Sequence, residues 1–432
     1  MRKRRSPRPP AEEAAQCLQQ GRLRLAARDP AGAEPLLRRA LALAPQDLEA
    51  HLSLGAMLSD QRRFEEGLEH YRLALLRWPG APALWCNRGV LLTRMEDAAA
   101  AEACFRRALA LDPDYAAARF DLSYLLLRRG QFPEGLEALE ARSLNVQLAA
   151  QIPAPRWQGQ DLTGKALLVG VEGGYGDMLQ FARYTGQLKA MGLARLTLIC
   201  HPPLRRLFTT LPGVDEVIAL GATLTGPGWD FWILPQSLPL RCGTTAGAIP
   251  APIPYVRPVP EDLARWASRL PPGPRVGLAW KGNPAFEEDG HRSLPHLATL
   301  APLGAVAGLS FISLQKGAGE TETTPGLDLI PAALDDFADT AALVAQLDLV
   351  ISTDTAVAHL AGALGRPCWL LLPRPVSDWR WFEDRLDSPW YPGTHRLFRQ
   401  PRPGDWASVV AEVAAALGQV KFRAPGSIGD YN

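Results

Sequence analysis

The chain is poor in lysine, in net charge and in long apolar runs. Only six of its 46 basic residues are lysines, and 46 basic against 45 acidic residues leave +1. So balanced a chain has no global field to hold nucleic acid or an anionic membrane. No run approaches the ~18 consecutive apolar residues of a bilayer-spanning helix. Met1 to Arg8 carries five basic residues, but no apolar stretch follows, so a secretory signal is not expected. The six cysteines (Cys17, Cys86, Cys104, Cys200, Cys242, Cys368) are scattered and form no CxxC pair. A reduced, cytoplasmic protein without a zinc site is the expectation. What is present is ordinary globular composition, 47% hydrophobic and 21% charged, which excludes wholesale disorder. At roughly 150 residues per domain the 432 residues imply two or three domains.

The first third is periodic. Gly21, Gly55 and Gly89 are spaced by 34, as are Ala40, Ala74 and Ala108, and Pro45, Pro79 and Pro113. Leu37, Tyr71 and Phe105 keep the same period, and Ala33, Gly67 and Ala101 each follow a periodic Gly by 12. A partial fourth copy has Ser123 and Gly135 in these positions. Small residues let paired helices approach, the large residue fills the space between neighbouring copies, and the Pro stops the second helix. The pattern resembles the tetratricopeptide repeat, with Trp85, Gly89, Ala101, Phe105, Ala108 and Pro113 its best copy, and three and a half copies suffice to bury a shared core. Gln19, Ser53, Asn87 and Asp121 stand two before each Gly position. In the large O-linked N-acetylglucosaminyltransferases, Asn residues there grip a peptide backbone. By that resemblance these four are candidate acceptor-binding residues, although only Asn87 is Asn and a solvated helix face accounts for them as well. Asp112-Pro113-Asp114 has the spelling of a metal-binding DxD, but its place on the repeat-closing turn assigns it to turn chemistry.

The remainder alternates strand and helix. The periodicity stops after residue 142, and Pro153, Pro155, Gly159 and Gly164 mark a linker over 143–165. Strands are expected at Ala166–Val171, Arg195–Cys200, Val214–Leu220 and Asp230–Leu234, with a Gly-rich loop at Glu172–Asp177 and a helix at Met178–Ala190. A proline-rich hinge, Ile249–Pro260, precedes a second set: Arg275–Trp280, Leu309–Leu314, Asp348–Ser352 and Pro367–Leu372 as strands, with a helix at Thr355–Leu364. This predicts an α + α/β protein: a tetratricopeptide-repeat solenoid over 14–142, then two Rossmann-like domains over 166–260 and 261–423. Loose tails are expected at 1–13 and 424–432. In such sheets ligands bind beyond the carboxyl ends of the strands.

Three clusters lie at such strand ends. Asp354 reads as the N-cap of the alanine-rich helix, and the N–H groups of Thr355 and Ala356 with the helix dipole suit an anion. His359 lies one turn along, where a buried core histidine is the competing reading. Asp177, after Gly173, Gly174 and Gly176, opens a helix whose dipole keeps it ionised; it also reads simply as a cap. Lys281, before Asn283, places a cation where departing phosphate charge would develop, and Gln315 and Lys316 end a strand at the same edge. Trp379, Trp381, Trp390 and Tyr391 read equally as stacking platform or as core.

The turn at 353–356 resembles that of GT-B glycosyltransferases of the heptosyltransferase type. So do Arg275–Asn283 (RVGLAWKGN), Arg292-Ser293-Leu294-Pro295, Ser313–Gly317 (SLQKG) and Asp378–Gln400. In order and spacing, residues 14 to 418 resemble a bacterial group that joins tetratricopeptide repeats to such a region and includes flagellin-modifying enzymes. The resemblance implies a GT-B fold and transfer of a sugar from a nucleotide sugar to Ser or Thr of a repeat-bound protein, flagellin in that group. It makes Asp177 the general base, Lys281 the leaving-group lysine, and Gly173, Gly174, Gly176, Asn283, Gln315, Lys316, Asp354, Thr355, Ala356 and His359 donor-binding residues. Gly173 stands where the group carries Gln. Inversion with no metal cofactor is expected, because no DxD occurs after residue 150 and Lys281, Arg292 or Arg380 would meet the phosphate charge. A binding scaffold with a decayed transferase region, transfer to a saccharide acceptor, and a nucleotide-sugar epimerase remain alternatives.

Overall fold

The computed structural model describes residues 9–142, 152–224, 228–250, 253–286, 289–374 and 377–422. The expected tail at 424–432, residues 1–8 of the basic tail and residues 143–151 of the linker lie outside the described residues. The chain divides into two compact units, Met1–Leu125 and Leu126–Asn432.

The first unit is built of helix pairs: α1 (Pro10–Ala26) with α2 (Pro30–Leu43), α3 (Leu48–Asp60) with α4 (Phe64–Arg77), and α5 (Pro82–Arg94) with α6 (Ala98–Leu111). Helix α7 (Ala116–Arg128) opens the fourth copy and runs across the division. Helix α1 starts at Pro10, so residues 10–13 of the expected tail are helical. Prolines at the first turn of α1, α2 and α5 cost no hydrogen bond. Asp29, Asp47 and Asp97 cap α2, α3 and α6 through the N–H groups of Gly32, Ala50 and Ala100 at 2.9, 3.1 and 3.0 Å. Between paired helices sits a residue with positive φ, again at spacing 34: Arg28, Arg62, Glu96 and Gly130, at 58°, 60°, 64° and 77°. The next N–H reaches back to the carbonyls of Arg24, Leu58, Leu92 and Leu126, the bond that closes a Schellman turn. Three of these four positions carry a side chain, so composition gives no hint of the left-handed turn. Asp112-Pro113-Asp114 is also a turn, with the Asp114 N–H donated to the Asp112 carboxylate at 3.1 Å.

The periodic glycines are contact positions. A Cβ on Gly89 would lie 2.6 Å from the Phe105 ring, and one on Gly55 would lie 2.3 Å from the Tyr71 ring. Both rings are buried. Gly89→Ala is therefore expected to cost about 1–3 kcal/mol through overpacking, read as a lower urea midpoint for the repeats. Gly89→Ala with Phe105→Leu should recover part of the loss; an additive double variant contradicts the steric account.

The second unit holds the rest of the fourth copy, α8 (Phe132–Leu139), and two all-parallel sheets. The first has the order β3-β2-β1-β4, from β1 (Ala166–Val169), β2 (Arg195–Cys200), β3 (Glu216–Ala219) and β4 (Phe231–Ile233). The second has the order β10-β9-β8-β5-β6-β7, from β5 (Arg275–Ala279), β6 (Ser310–Ser313), β7 (Leu329–Ile330), β8 (Leu349–Thr353), β9 (Cys368–Leu372) and β10 (His395–Arg399). Strands β8 and β9 are buried along their whole length, as expected for strands covered on both faces. Val276, Leu278, Ile351, Trp369 and Leu371 pack against Trp406, Val409 and Val413 of the closing helix Trp406–Leu417. The linker residues 152–165 lie against the first sheet: Arg156 bridges to Trp232 in parallel, and Trp157 is buried. In each sheet the chain reverses direction of travel beside the first strand, between β1 and β4 and between β5 and β8. Loops leaving β1, β5 and β8 therefore open at the switch points where such sheets bind ligands.

Candidate functional site

After β1 the chain makes the Gly loop and enters the helix Tyr175–Phe181. Gly173 has φ +67°, a conformation that disfavours side chains. Asp177 sits in the first helical turn and accepts the Gly174 N–H at 2.7 Å. Its other oxygen accepts from the Arg380 guanidinium. Arg380 is buried and also pairs with Asp378 at 2.7 Å. The cap predicted for Asp177 is thus present, and an ion pair to the second half of the unit is added.

The alanine-rich helix spans Ala356–Ala363. Its N-cap is Thr355, and no side-chain bond caps it. This corrects the expectation that Asp354 caps the helix: the extended Thr355 takes the cap position, and its hydroxyl lies 3.0 Å from that of Ser352. The helix packs on the Gly loop, since a Cβ on Gly176 would lie 2.8 Å from the His359 ring and 3.6 Å from the Ala356 Cα. Ala358 and Ala361 are fully buried, so these small residues serve helix packing. The loop after β1 and the turn after β8 therefore meet.

His359 is buried, with Nδ1 2.8 Å from the Tyr391 hydroxyl, its ring stacked on Trp381 at 5.2 Å, and Nε2 3.9 Å from an Asp354 oxygen. Burial first, then Arg380, the neighbouring His395 ring, Arg183 and Arg292, hold its pKa well below the ordinary value, so the ring is neutral at pH 7. Asp354 shows the opposite displacement. Burial, reinforced by the charge of Asp378, raises it to about 6 against the pull of Arg292 and Arg380. Thr353, fully buried at the end of β8, has a hydroxyl with no hydrogen-bond partner among the described residues.

The loop after β5 is ordered by the Arg292-Ser293 motif. The Ser293 hydroxyl accepts the Gly282 N–H at 2.8 Å and donates to Asp289 at 2.9 Å, and Arg292 Nε donates to Asp289 at 3.0 Å. Lys281 is ion-paired with Glu322. Burial pushes the Glu322 carboxyl up, but the Lys281 ammonium and the Leu297 N–H hold it below the usual range. Gln315 is buried and fully engaged: its oxygen accepts the N–H groups of Trp280 and Lys281 at 2.9 and 3.0 Å, and its amide donates to the Lys281 and Ala318 carbonyls at 3.0 and 2.9 Å. It staples the ends of β5 and β6. Asn283 is exposed and closes a turn onto the Ala285 N–H at 3.0 Å. Lys316 is exposed and paired with Glu320 at 3.2 Å.

The structure thus brings Gly173, Gly174, Gly176, Asp177, Asp354, Thr355, Ala356 and His359 together. Lys281 and Gln315 form a neighbouring cluster on the second sheet, with Asn283 and Lys316 at its exposed rim. Trp379, Trp381, Trp390 and Tyr391 are buried, which decides for core over stacking platform. The partner Glu322 carries no sequence signal of its own, whereas Asp378 and Tyr391 lie in the stretch Asp378–Gln400 that carries the resemblance. In the first unit, Gln19 is exposed, Ser53 and Asn87 are half-buried, and Asp121 accepts a bond from Cys86 Sγ at 3.4 Å. Burial raises the Asp121 carboxyl.

Asp354 yields a test. Its folded pKa lies above the reference 3.8, so the folded state binds this proton more tightly than the unfolded state. Its contribution favours folding at acid pH and is lost as pH rises from about 4 through about 6. Asp354→Asn is expected to be more stable than the parent at about pH 7.5, by on the order of 1–3 kcal/mol. The gain should vanish near pH 4 in urea unfolding. A gain independent of pH contradicts titration in this window.

Residues 18–82 and 82–115 match models described as tetratricopeptide repeat. Among solved structures, the chain is similar to E. coli ADP-heptose LPS heptosyltransferase II, at 17% identity over 58% of this chain and 98% of that one, with a TM-score of 0.44. It is also similar to Thermobaculum terrenum O-GlcNAc transferase, at 13% identity over 96% and 91%, with a TM-score of 0.34. Protein FlbA of Caulobacter vibrioides is 31% identical over an alignment of 444 positions that takes in 86% of this chain and 73% of FlbA. At that identity and coverage, with the repeats and both sheets in place, the chain belongs to the FlbA family.

Proposed function

We propose that this protein is a GT-B glycosyltransferase that moves a sugar from a nucleotide sugar to Ser or Thr of a protein held by its repeats, flagellin being the proposed acceptor and the cytoplasm the proposed place. The observation that carries the reading is the meeting of the Asp177 loop with the uncapped N-terminus at Ala356, each at the switch point of its own parallel sheet. The donor diphosphate would lie at that helix N-terminus, where unpaired N–H groups and the dipole favour an anion. Gly173, Gly174, Gly176, Thr355, His359 and Asp354 would line it, with Asn283, Gln315 and Lys316 beyond the ends of β5 and β6. Lys281 and Arg292 would face the charge that develops on the departing phosphate.

The acceptor oxygen attacks the anomeric carbon as the carbon–oxygen bond to the nucleoside diphosphate breaks, and its proton passes to Asp177, inverting the centre. In the resting arrangement each Asp177 oxygen accepts one bond, from Gly174 and from Arg380, and each keeps a lone pair that can take the acceptor proton. Gln19, Ser53, Asn87 and Asp121, at one position of each copy, would meet the acceptor chain.

One observation favours a second reading. Asp177 and Lys281 are both taken by internal partners, as a scaffold that had lost its reaction would permit. Titration with nucleoside diphosphates and their sugars separates the two, because a scaffold binds none. For the enzyme, the intact mass of flagellin produced with and without the protein should differ by one sugar or a multiple of it. Asp177→Asn is expected to lower transfer by ~10²–10⁴ while donor binding persists. Transfer should withstand EDTA. Near-parental turnover of the Asn variant, or manganese-restored activity after chelation, contradicts this mechanism.

A further inference from the structure

The second helix of the fourth repeat, α8, and its flanks belong to the same compact unit as the two sheets. Their contacts fall at two places. Beyond the C-terminal end of α8, the buried Arg142 forks onto Glu172, with Nε to Oε1 at 2.5 Å and Nη2 to Oε2 at 3.2 Å. Arg142 also donates to the Ser237 hydroxyl at 2.7 Å and to the Leu139 carbonyl at 3.0 Å. Glu172 accepts the Gln236 N–H at 3.2 Å. It is the residue before Gly173, so this fork fixes the root of the loop that carries Asp177.

At the N-terminal end of α8, Arg128 Nε donates to Glu383 at 2.7 Å. Phe132 is fully buried and packs on Trp379, Phe382 and Trp390, with ring centroids 6.0, 5.8 and 6.0 Å away. Trp379 and Phe382 stand on either side of Arg380 in the chain. Phe382 has φ +56°, a conformation that a bulky residue holds only when its surroundings impose it. The repeat thus grips both chain segments that supply the Asp177–Arg380 pair, through different residues on each side.

We propose that this terminal helix is a positioning element of the active site, with Arg142, Arg128 and Phe132 setting the geometry of Asp177 against Arg380. Its catalytic part rests on the reading of Asp177 as the base. A bidentate, buried Arg–carboxylate fork fixes direction as well as distance, which a loop rich in glycine does not do for itself.

The test uses the full chain with Arg142→Gln, Arg128→Gln and Phe132→Leu, and Arg72→Ala as a surface control. Hydrogen exchange followed by mass spectrometry should show about tenfold faster exchange in 173–181 for Arg142→Gln and in 379–391 for the other two. Exchange in β2 and β9 should be unchanged. Transfer to purified flagellin is measured with UDP-N-acetylglucosamine, GDP-mannose, ADP-heptose and a CMP-linked nonulosonic acid. With whichever donor the parent uses, kcat should fall about tenfold with the KM for flagellin unchanged. A purely structural role would lower the folded fraction, or slow every donor and acceptor parameter together. Exchange that rises evenly over both sheets, or parental kcat in all three variants, overturns the inference. A parent chain that transfers none of these sugars counts against the proposed function instead, and the exchange pattern still decides whether the helix braces the two loops.

Discussion

The ion pair between Arg380 and Asp177 is the constraint on which the candidate site depends. The two residues are 203 positions apart and follow strands of different sheets, and the guanidinium is buried. A buried arginine needs its charge compensated, and removing one ionic partner leaves an uncompensated charge. Asp177 and Asp378 supply two. Burial sets the protonation states around them first, and the surrounding charges add to it. A further proton on His359 would face Arg380, Arg292 and Arg183, so the imidazole is held neutral. A further charge on Asp354 would face Asp378, so that carboxyl keeps its proton to a higher pH. The site is a set of fixed cations with an adjustable number of anionic partners. Under the proposed function, a donor phosphate would compete with carboxylates that are already in place.

A second buried arginine, Arg183, pairs with no carboxylate among the described residues. Arg183 lies 5.0, 5.1 and 4.8 Å from the rings of Tyr255, Trp390 and Tyr391, and donates to the carbonyls of Gln180 and Trp390 at 2.8 and 2.7 Å. Electrostatic attraction to the ring faces offsets part of the desolvation cost. The arrangement joins the end of the Gly-loop helix to the hinge and to the aromatic segment before β10. Tyr391 then passes the constraint on, since its hydroxyl contacts His359 and a Cβ on Gly362 would strike its ring at 2.2 Å. The tryptophans and Tyr391 in this stretch are the joint between the two halves, which is why they are buried.

Much of this was legible in the sequence, and what was not has a physical reason. The repeats showed because sterics recur at a fixed interval: a ring beside a glycine excludes other residues at that glycine in every copy. Eight strands showed because each is rich in apolar residues between turn residues, with ends no more than two residues from those expected. Strand β7 is two residues long, and β10 reads His-Arg-Leu-Phe-Arg, so neither carries the apolar signature. The helix written as Met178–Ala190 begins at Tyr175 and breaks at a tighter turn over Ala182–Tyr184, because Gly174 and Gly176 disguise its first turn. The candidate loops were legible because strand ends announce themselves. Which side chains pair across them was not: Arg380 with Asp177, Lys281 with Glu322 and Arg142 with Glu172 are set by tertiary structure. The assignment of Asp354 as the cap failed for a local reason, since the Thr355 backbone extends first and leaves the aspartate to face the interior.

The periodicity and the compact units divide the chain at different places, and the difference has content. The 34-residue period runs without interruption through Gly130 and Gly135, yet the compact division falls at Leu125 and Leu126, inside α7. A period records which local sterics recur. A compact unit records where contacts are made. In the fourth copy the recurring residues still build a helix pair, since a Cβ on Gly135 would lie 2.8 Å from Leu127. The residues between them have been given other partners. Arg128, Phe132 and Arg142 are charged or aromatic where the period requires nothing in particular, and each is buried against the segments around the sheets. A terminal repeat ordinarily needs a polar outer face to end the stack in water. In the fourth copy Phe132 and Arg142 are instead buried against Trp379, Phe382 and Glu172 of their own compact unit.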